Sequence, residues 1–560
     1  MWFGGAFVTG MAAVACVVMV LAHRAEPMLR ARIVEGLENH FHARVELDSF
    51  HLTLRDGLWA EGKGLRIWPP AQVLGVEVPG SATPNTPLIR LEEFRFHAPI
   101  SYKMGYKPGQ AIRISVVQLK GLEVDVPPRP HFEHGADEAK GAAGESQNLG
   151  KTAAGMLRFQ IEAVECTDAR LTIETSKPGK LPLEFAIAHL KLTGKTSGIS
   201  VGEAMGFEAE LTNPRPVGTI HTNGSFGPWV VEDPGESPLT GDYRFENADL
   251  GGFKGIAGIL SSTGHYQGTL RDLVVDGETD TPDFRLTHFG TRLPLHTKFH
   301  ARVDGTNGNT WLEPVEARLG NSHFWAQGQV VRVAAVADRK GGPDRPHAGG
   351  HDISLTLNVD RGRIEDFLRL ASRGGTPLLT GALNMKAGLE IQPGPVPLDE
   401  RLRLTGTFAL DDVQFASAKI QQRIGELSAR GQGRPKDAKA GGDADVRSTM
   451  KGNFQMAGGV VTLPALEYTV PGAVIDLKGR YGVEGGKLDF AGTAKMQATV
   501  SAMVGGWKGL LLKPMDRYFQ KDGAGTEVPI HINGTRENPQ FGIDFDRMKG
   551  SSAQRPDAPQ

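Results

Sequence analysis

The amino-acid sequence predicts a mainly β protein, mostly antiparallel, behind an N-terminal transmembrane helix. Three observations predict it. The first is a period of two: Met450, Gly452, Phe454 and Met456 alternate with Lys451, Asn453 and Gln455. The same alternation returns at Ile475, Leu477, Gly479, Tyr481 and Val483, set against Asp476, Lys478 and Arg480. It returns again at Leu488, Phe490, Gly492, Ala494 and Met496, set against Lys487, Asp489, Thr493 and Lys495. One apolar and one polar face at this period mark a half-buried β-strand. The second observation is glycine, 72 of 560 residues, about twice the usual share of roughly 7 %. Without a collagen period, the excess is assigned to turns, bulges and strand kinks. The third is an uncharged run over residues 2–22.

As a helix rising 1.5 Å per residue, that run spans about 31 Å, the thickness of a bilayer's hydrocarbon core. Trp2 and Phe3 suit one interface and Arg24 closes the other. A cleaved signal peptide ending at Val20-Leu21-Ala22 is the alternative, opposed by the missing basic leader and the length of the run. The cations Arg24, Arg30 and Arg32 all follow the span, and the positive-inside rule taken alone puts the bulk of the chain in the cytoplasm. Next comes a helix over 28–41, with Leu29, Ile33, Leu37 and Phe41 as its apolar stripe. It either caps the end of a core or lies on a membrane surface.

Taken in order, the chain reads as an anchor at 1–24 and a helix-and-β region at 25–128. A disordered loop follows at 129–152, then a central β region at 153–334 and a loop at 335–350. A β region with a short helix occupies 351–428, a loop 429–445, a C-terminal β module 446–547 and a disordered tail 548–560. Strand patterns dominate between the breaks, for example at 157–164, 183–192, 218–226, 264–275, 323–333, 352–359, 381–391 and 401–410. Helical patterns are few: 253–260, 362–372 (stopped by Gly374-Gly375) and 500–512, before Pro514. A loose motif of apolar residue, glycine and apolar residue on one face recurs at 239–243, 379–383, 404–408 and 477–481.

With so few helices, the apolar face is covered by a second sheet, as in a sandwich or barrel, or is left as a trough for something other than protein. The residues leave both open. About 25 strands spaced ~4.8 Å apart would extend about 120 Å side by side, and acyl chains would suit such a trough.

Charge and chemistry exclude other classes. Lys+Arg 62 against Asp+Glu 64 leaves a net charge of −2, with no basic surplus for a nucleic-acid backbone. The two cysteines, Cys16 in the apolar run and Cys166 in a strand pattern, give no disulfide framework. Ser225, in Asn223-Gly224-Ser225-Phe226-Gly227, lacks the first glycine of a nucleophile elbow and reads as a turn residue. His131-Phe132-Glu133-His134 falls short of the two-histidine zinc motif. Asp276, Glu278, Asp280 and Asp283 lack the spacing of a calcium loop and read as a solvated hairpin. No catalytic residue, metal or cofactor is assigned, and the chain is read as a non-enzyme.

Several stretches carry a family resemblance. These are Ala43-Arg44-Val45-Glu46-Leu47 and Gly62-Lys63-Gly64-Leu65-Arg66-Ile67 behind the anchor, and the middle segments 211–216, 224–229 and 253–262. The end contributes 466–496 and Gly534-Thr535-Arg536-Glu537-Asn538-Pro539-Gln540-Phe541. Together they resemble the AsmA-like family of bacterial envelope proteins, relatives of TamB. The resemblance implies a long, curled, groove-like β-sheet, held in the inner membrane by a single pass with its bulk in the periplasm. It also implies phospholipid movement between the envelope membranes and outer-membrane homeostasis. The expected partners are membrane lipids and envelope proteins, and the expected groove residues are Phe454, Met456, Ile475, Leu477 and Phe490. The alternative is an assembly factor for outer-membrane proteins that pairs its strand edges with a client.

Overall fold

The computed structural model describes residues 26–38 in part, 43–68, 87–98, 112–126, 159–173, 183–194, 203–287, 291–333, 350–370, 377–504, 513, 516 and 525–543, short gaps within these spans aside. The anchor at 2–22, the His131–His134 motif, the loop at 129–152, the tail at 548–560 and all but the last residue of the loop at 335–350 lie outside these residues. No helix among the described residues is long and apolar enough to cross a membrane.

The chain is mainly β, with 24 strands among the described residues. It divides into two compact units. The first holds the residues up to Glu246 with Thr263–Val275 and Val303–Gly308; the second holds Asn247–Ser262, Asp276–Arg302 and the residues from Asn309 on.

The first unit begins with β1 (Val45–Leu54), β2 (Leu58–Ile67), β3 (Ile89–Ala98) and β4 (Ile112–Val126). It continues with β5 (Phe159–Ile173), β6 (Leu183–Thr193), β7 (Met205–Pro214) and β8 (Val217–Phe226). Neighbours in sequence pair antiparallel, except that β4 and β5 run parallel. A parallel pair needs a connection of a dozen residues or more, and the chain supplies it between Val126 and Phe159. The core here is Leu47, Phe50, Ala60, Leu91 and Phe94, with Ile33 and Val34 packed against it. Phe50, Gly62 and Phe94 stand in one register row, and a Cβ at Gly62 would clash with the edge of the Phe94 ring. The described residues between 26 and 38 are helical. They are pinned to β1 by Glu26, whose carboxylate accepts the Leu52 N–H at 2.8 Å, and by Arg30, which donates to the Leu47 carbonyl. Ile33 therefore belongs to a helix that packs on a core, the first of the two roles its stripe allowed.

The strands β9 (Pro238–Asp249), β10 (Ile256–Ala257), β11 (Ile259–Thr269), β12 (Asp272–Leu286) and β13 (Leu293–Asp304) come next. The helix expected at 253–260 is absent: β10 and the start of β11 fill that stretch, after a single 3-10 turn at Leu250–Gly252. Gly255 and Gly258 hold φ of 109° and 144°, values no α-helix contains.

The second unit continues with β14 (Asn309–Leu319), β15 (Ser322–Val333), β16 (Gly350–Arg363), β17 (Leu379–Ile391) and β18 (Leu402–Phe415). It ends with β19 (Thr449–Ala457), β20 (Val460–Val470), β21 (Ala473–Gly482), β22 (Lys487–Met496), β23 (Thr526–Thr535) and β24 (Pro539–Ile543). Each pairs antiparallel with the next. Among the described residues, five helices interrupt them: α1 (Ile364–Leu370), α2 (Leu398–Arg401), α3 (Ala418–Gly431), α4 (Pro435–Lys439) and α5 (Val500–Val504). Thus 429–445, expected as a loop, carries the end of α3 and all of α4. Ser417 caps α3 by accepting the Ile420 N–H, and Pro435 opens α4 at a position where its missing donor costs nothing.

Candidate functional site: the apolar face of the second unit

Register fixes which side chains share a face. One row of facing residues crosses ten strands: Phe324, Val359, Met385, Phe408, Gly452, Leu466, Leu477, Gly492, Ile530 and Ile543. A second row, two residues further along each strand, runs Ala326, Leu357, Ala387, Gly406, Phe454. A third runs Gly328, Leu355, Leu389, Leu404, Met456, Val461, Tyr481, Leu488. The three rows make one continuous apolar face. The opposite face is charged and solvated, with Lys451–Glu467 and Lys495–Asp476 ion pairs at 2.9 Å each.

Cover on the apolar face is graded along the strands. At one end, Val359, Leu383, Leu410, Tyr468, Ile475 and Ala494 are buried, none more than 7 % exposed. Phe367 and Leu368 of α1, Ile424 and Leu427 of α3 and Met503 of α5 lie over them. Phe367 meets Phe324 edge-on at 6.1 Å. Buried Asp366 locks α1 in place, accepting the Ser322 hydroxyl at 2.8 Å and the Asn321 N–H at 3.0 Å. The core cluster consists of this one sheet, the helices and Val446, with no opposing sheet among the described residues. At the other end, Leu355, Leu389, Leu404, Met456 and Leu488 are only half-buried. In β19, Met450, Gly452, Phe454 and Met456 are half-buried and the residues between them are exposed.

The five expected groove residues share this face but not its cover. Ile475 and Phe490 are buried at 7 % and 8 % exposure. Leu477 is half-buried and packs on the helix-covered cluster. Phe454 and Met456 are half-buried and stand outside that cluster, with the Phe454 ring 6.2 Å from Phe408. The face also reaches the last strand, where Phe541 and Ile543 are 47 % and 45 % exposed. Sequence reading did not single out those two, because β24 is too short to show a period.

The glycines on this face have a steric basis. A Cβ at Gly492 would sit inside contact distance of the Asp476 carbonyl and 2.9 Å from the Leu477 Cα. At Gly479 it would meet the Asp489 carbonyl and lie 2.6 Å from Phe490. Neighbouring strands approach there closely enough that only glycine fits. Bulges at 312/315, 359/362, 380/382 and 463/466 add local twist.

Burial pushes the Tyr468 hydroxyl up to about 12, the neighbouring Ser448 hydroxyl pulling it partly back. The hydrogen bond that His300 Nδ1 donates to Asp276 Oδ1, at 2.7 Å, raises the His300 pKa, and the charges of Asp276 and Glu313 add to it. Asp276, Glu278, Asp280 and Asp283 all lie along β12, the first three exposed and Asp283 half-buried, and Asp280 stands 3.9 Å from His296. In the first unit, Ser225 is a strand residue opposite Gly206, not a turn residue, because β8 runs on to Phe226. Cys166 is buried in β5, where desolvation raises its pKa. No group of metal-ligating side chains occurs among the described residues. The chain matches no family model, no curated protein and no solved structure.

Proposed function

We propose that this chain is an inner-membrane-anchored, periplasmic envelope protein whose apolar β-face binds phospholipid acyl chains and moves them between the envelope membranes. It does so without catalysis. The observation that carries the reading is the long apolar face covered by helices at one end only. The uncovered end needs a partner, and each buried methylene of an acyl chain contributes about 0.8 kcal/mol. The resemblance of the sequence to AsmA-like proteins points the same way and supplies the anchor at 2–22, the periplasmic location and the role in outer-membrane homeostasis.

Lipid extraction and mass spectrometry of the purified full chain test it. Phospholipid is expected with the native protein and lost from Phe454→Asp and Met456→Asp, both of which keep a native thermal midpoint. Ile475→Asp is the contrasting variant, since a charge in the helix-covered core unfolds the unit. Absence of lipid from the native chain, or unfolding of Phe454→Asp as complete as that of Ile475→Asp, would sink the reading.

A second reading rests on β24, a five-residue strand with exposed Phe541 and Ile543. An edge of this kind suits strand addition by a client of an outer-membrane assembly factor. Crosslinks from position 541 to a β-barrel precursor, with no lipid recovered, would favour it.

A further inference from the structure

The chain as a whole is charge-balanced, but one element is not. Between Lys419 and Lys439, α3, α4 and the link between them carry six cations (Lys419, Arg423, Arg430, Arg434, Lys436 and Lys439) against two anions, Glu426 and Asp437, the latter paired with Arg434 at 3.4 Å. With Asp443, whose backbone packs on Gly425 of α3, and Asp445 counted, the excess is two positive charges. All six cations are exposed. The apolar stripe of α3 faces the other way, Ile424 and Leu427 being packed on the core, so this helix has no free apolar face of its own to insert into a bilayer. Its placement is fixed from below: the Ser428 hydroxyl donates to the Pro471 carbonyl at 2.8 Å, and the Gly431 carbonyl accepts the Ala498 N–H at 2.9 Å. The basic surface is therefore rigid, and it caps the covered end of the apolar face. It also adjoins exposed apolar groups, since the Arg423 guanidinium lies 6.0 Å over the ring of Phe541, on the edge strand that also carries exposed Ile543.

Cations beside exposed apolar side chains match a lipid headgroup layer, where the charge meets phosphate and the apolar group meets the acyl boundary. Duplex nucleic acid would be served by the cations, but its bases are already stacked inside the helix and gain little from Phe541 and Ile543. We propose that the α3–α4 cap docks on an anionic bilayer surface, with the exposed Phe541 and Ile543 of β24 meeting the same membrane. The proposal goes beyond lipid binding by the face, since docking requires no lipid on it.

The test uses the full chain held in neutral phosphatidylcholine nanodiscs, with capture of separate fluorescent vesicles as the readout. Vesicles containing about 30 % phosphatidylglycerol should be captured and pure phosphatidylcholine vesicles should not. Capture should disappear near ~0.5 M salt, where the Debye length falls below about 5 Å. The triple variant Lys419→Glu/Lys436→Glu/Lys439→Glu should capture at least ~10-fold less with an unchanged thermal midpoint. If it fails to fold, the corresponding Gln triple variant carries the test. Equal capture of neutral vesicles, or unchanged capture by the folded variant, overturns the proposal. So does equally tight binding of duplex DNA, which would make the cap a general polyanion site. Recovery of phospholipid from the same variants reports separately on the apolar face.

Discussion

Tyr468 shows how far a single buried residue shapes the second unit. Its hydroxyl is held neutral by burial, with the pKa pushed up to about 12 from an ordinary value of 10. A raised folded-state pKa stabilises the fold below the unfolded value, and that contribution is lost as pH rises through the folded one. Between pH 10 and 12 the native chain should therefore lose roughly 2–3 kcal/mol more than Tyr468→Phe, which has no proton to give up. Urea titrations of both proteins across this range measure it; parallel pH profiles would rule out the burial effect. His300 titrates in the opposite setting, half-exposed and hydrogen-bonded to Asp276. Its charged form is favoured in the folded state, so its contribution is present at pH below the unfolded value and lost as pH rises through the raised one. Solvent screening keeps it small. By NMR, the His300 midpoint should lie above about 6.5 and drop in Asp276→Asn.

Among the elements, β21 and β22 depend on glycine for their spacing. Gly492→Ala drives a methyl into the Asp476–Leu477 backbone and should cost about 1–3 kcal/mol by urea unfolding. Gly388→Ala in β17 is the comparison, since its nearest neighbour would be the Thr405 carbonyl at 3.9 Å. That variant should be neutral or gain a few tenths of a kcal/mol, and equal losses at both sites would remove the close-approach explanation. These strands were legible in the sequence because each alternates cleanly: the patterns at 323–333 and 381–391 fall within β15 and β17. β20 and β23 were not singled out, since Pro464 and Pro529 break the strand pattern. α3 was hidden for a different reason. Its stripe of Ile420, Ile424 and Leu427 has helical spacing, but it leads into a run rich in Gly, Ala, Lys and Asp that reads as loop. The helix is stabilised by the sheet beneath it, on which Ile424 and Leu427 pack. The apolar face itself was readable from period two; which end of it is covered was not, since that depends on helices arriving from three separate connections.

At the scale of the molecule, graded cover translates into graded stability within the second unit. Sheets that pair each strand with the next in sequence are stabilised largely by neighbour contacts, and they open locally where the fewest apolar contacts oppose it. The helix-covered ends of the strands, around Val359, Leu383, Leu410 and Ile475, are buried. Four to six residues away, the same strands carry Leu355, Leu389 and Leu404, which are half-buried. Amide hydrogen exchange should therefore be slowest at the covered ends and faster by at least ~10-fold at the others, a difference in opening free energy of about 1.4 kcal/mol. Adding a phospholipid that occupies the uncovered end should slow exchange there and leave the covered ends unchanged, because binding stabilises only the openings it opposes. Helix cover and lipid cover would then be interchangeable along one strand. Uniform protection along β16 to β18 in the lipid-free chain would mean that the uncovered end is already stabilised by protein. A gradient that lipid fails to flatten would mean that the face is uncovered for some other partner.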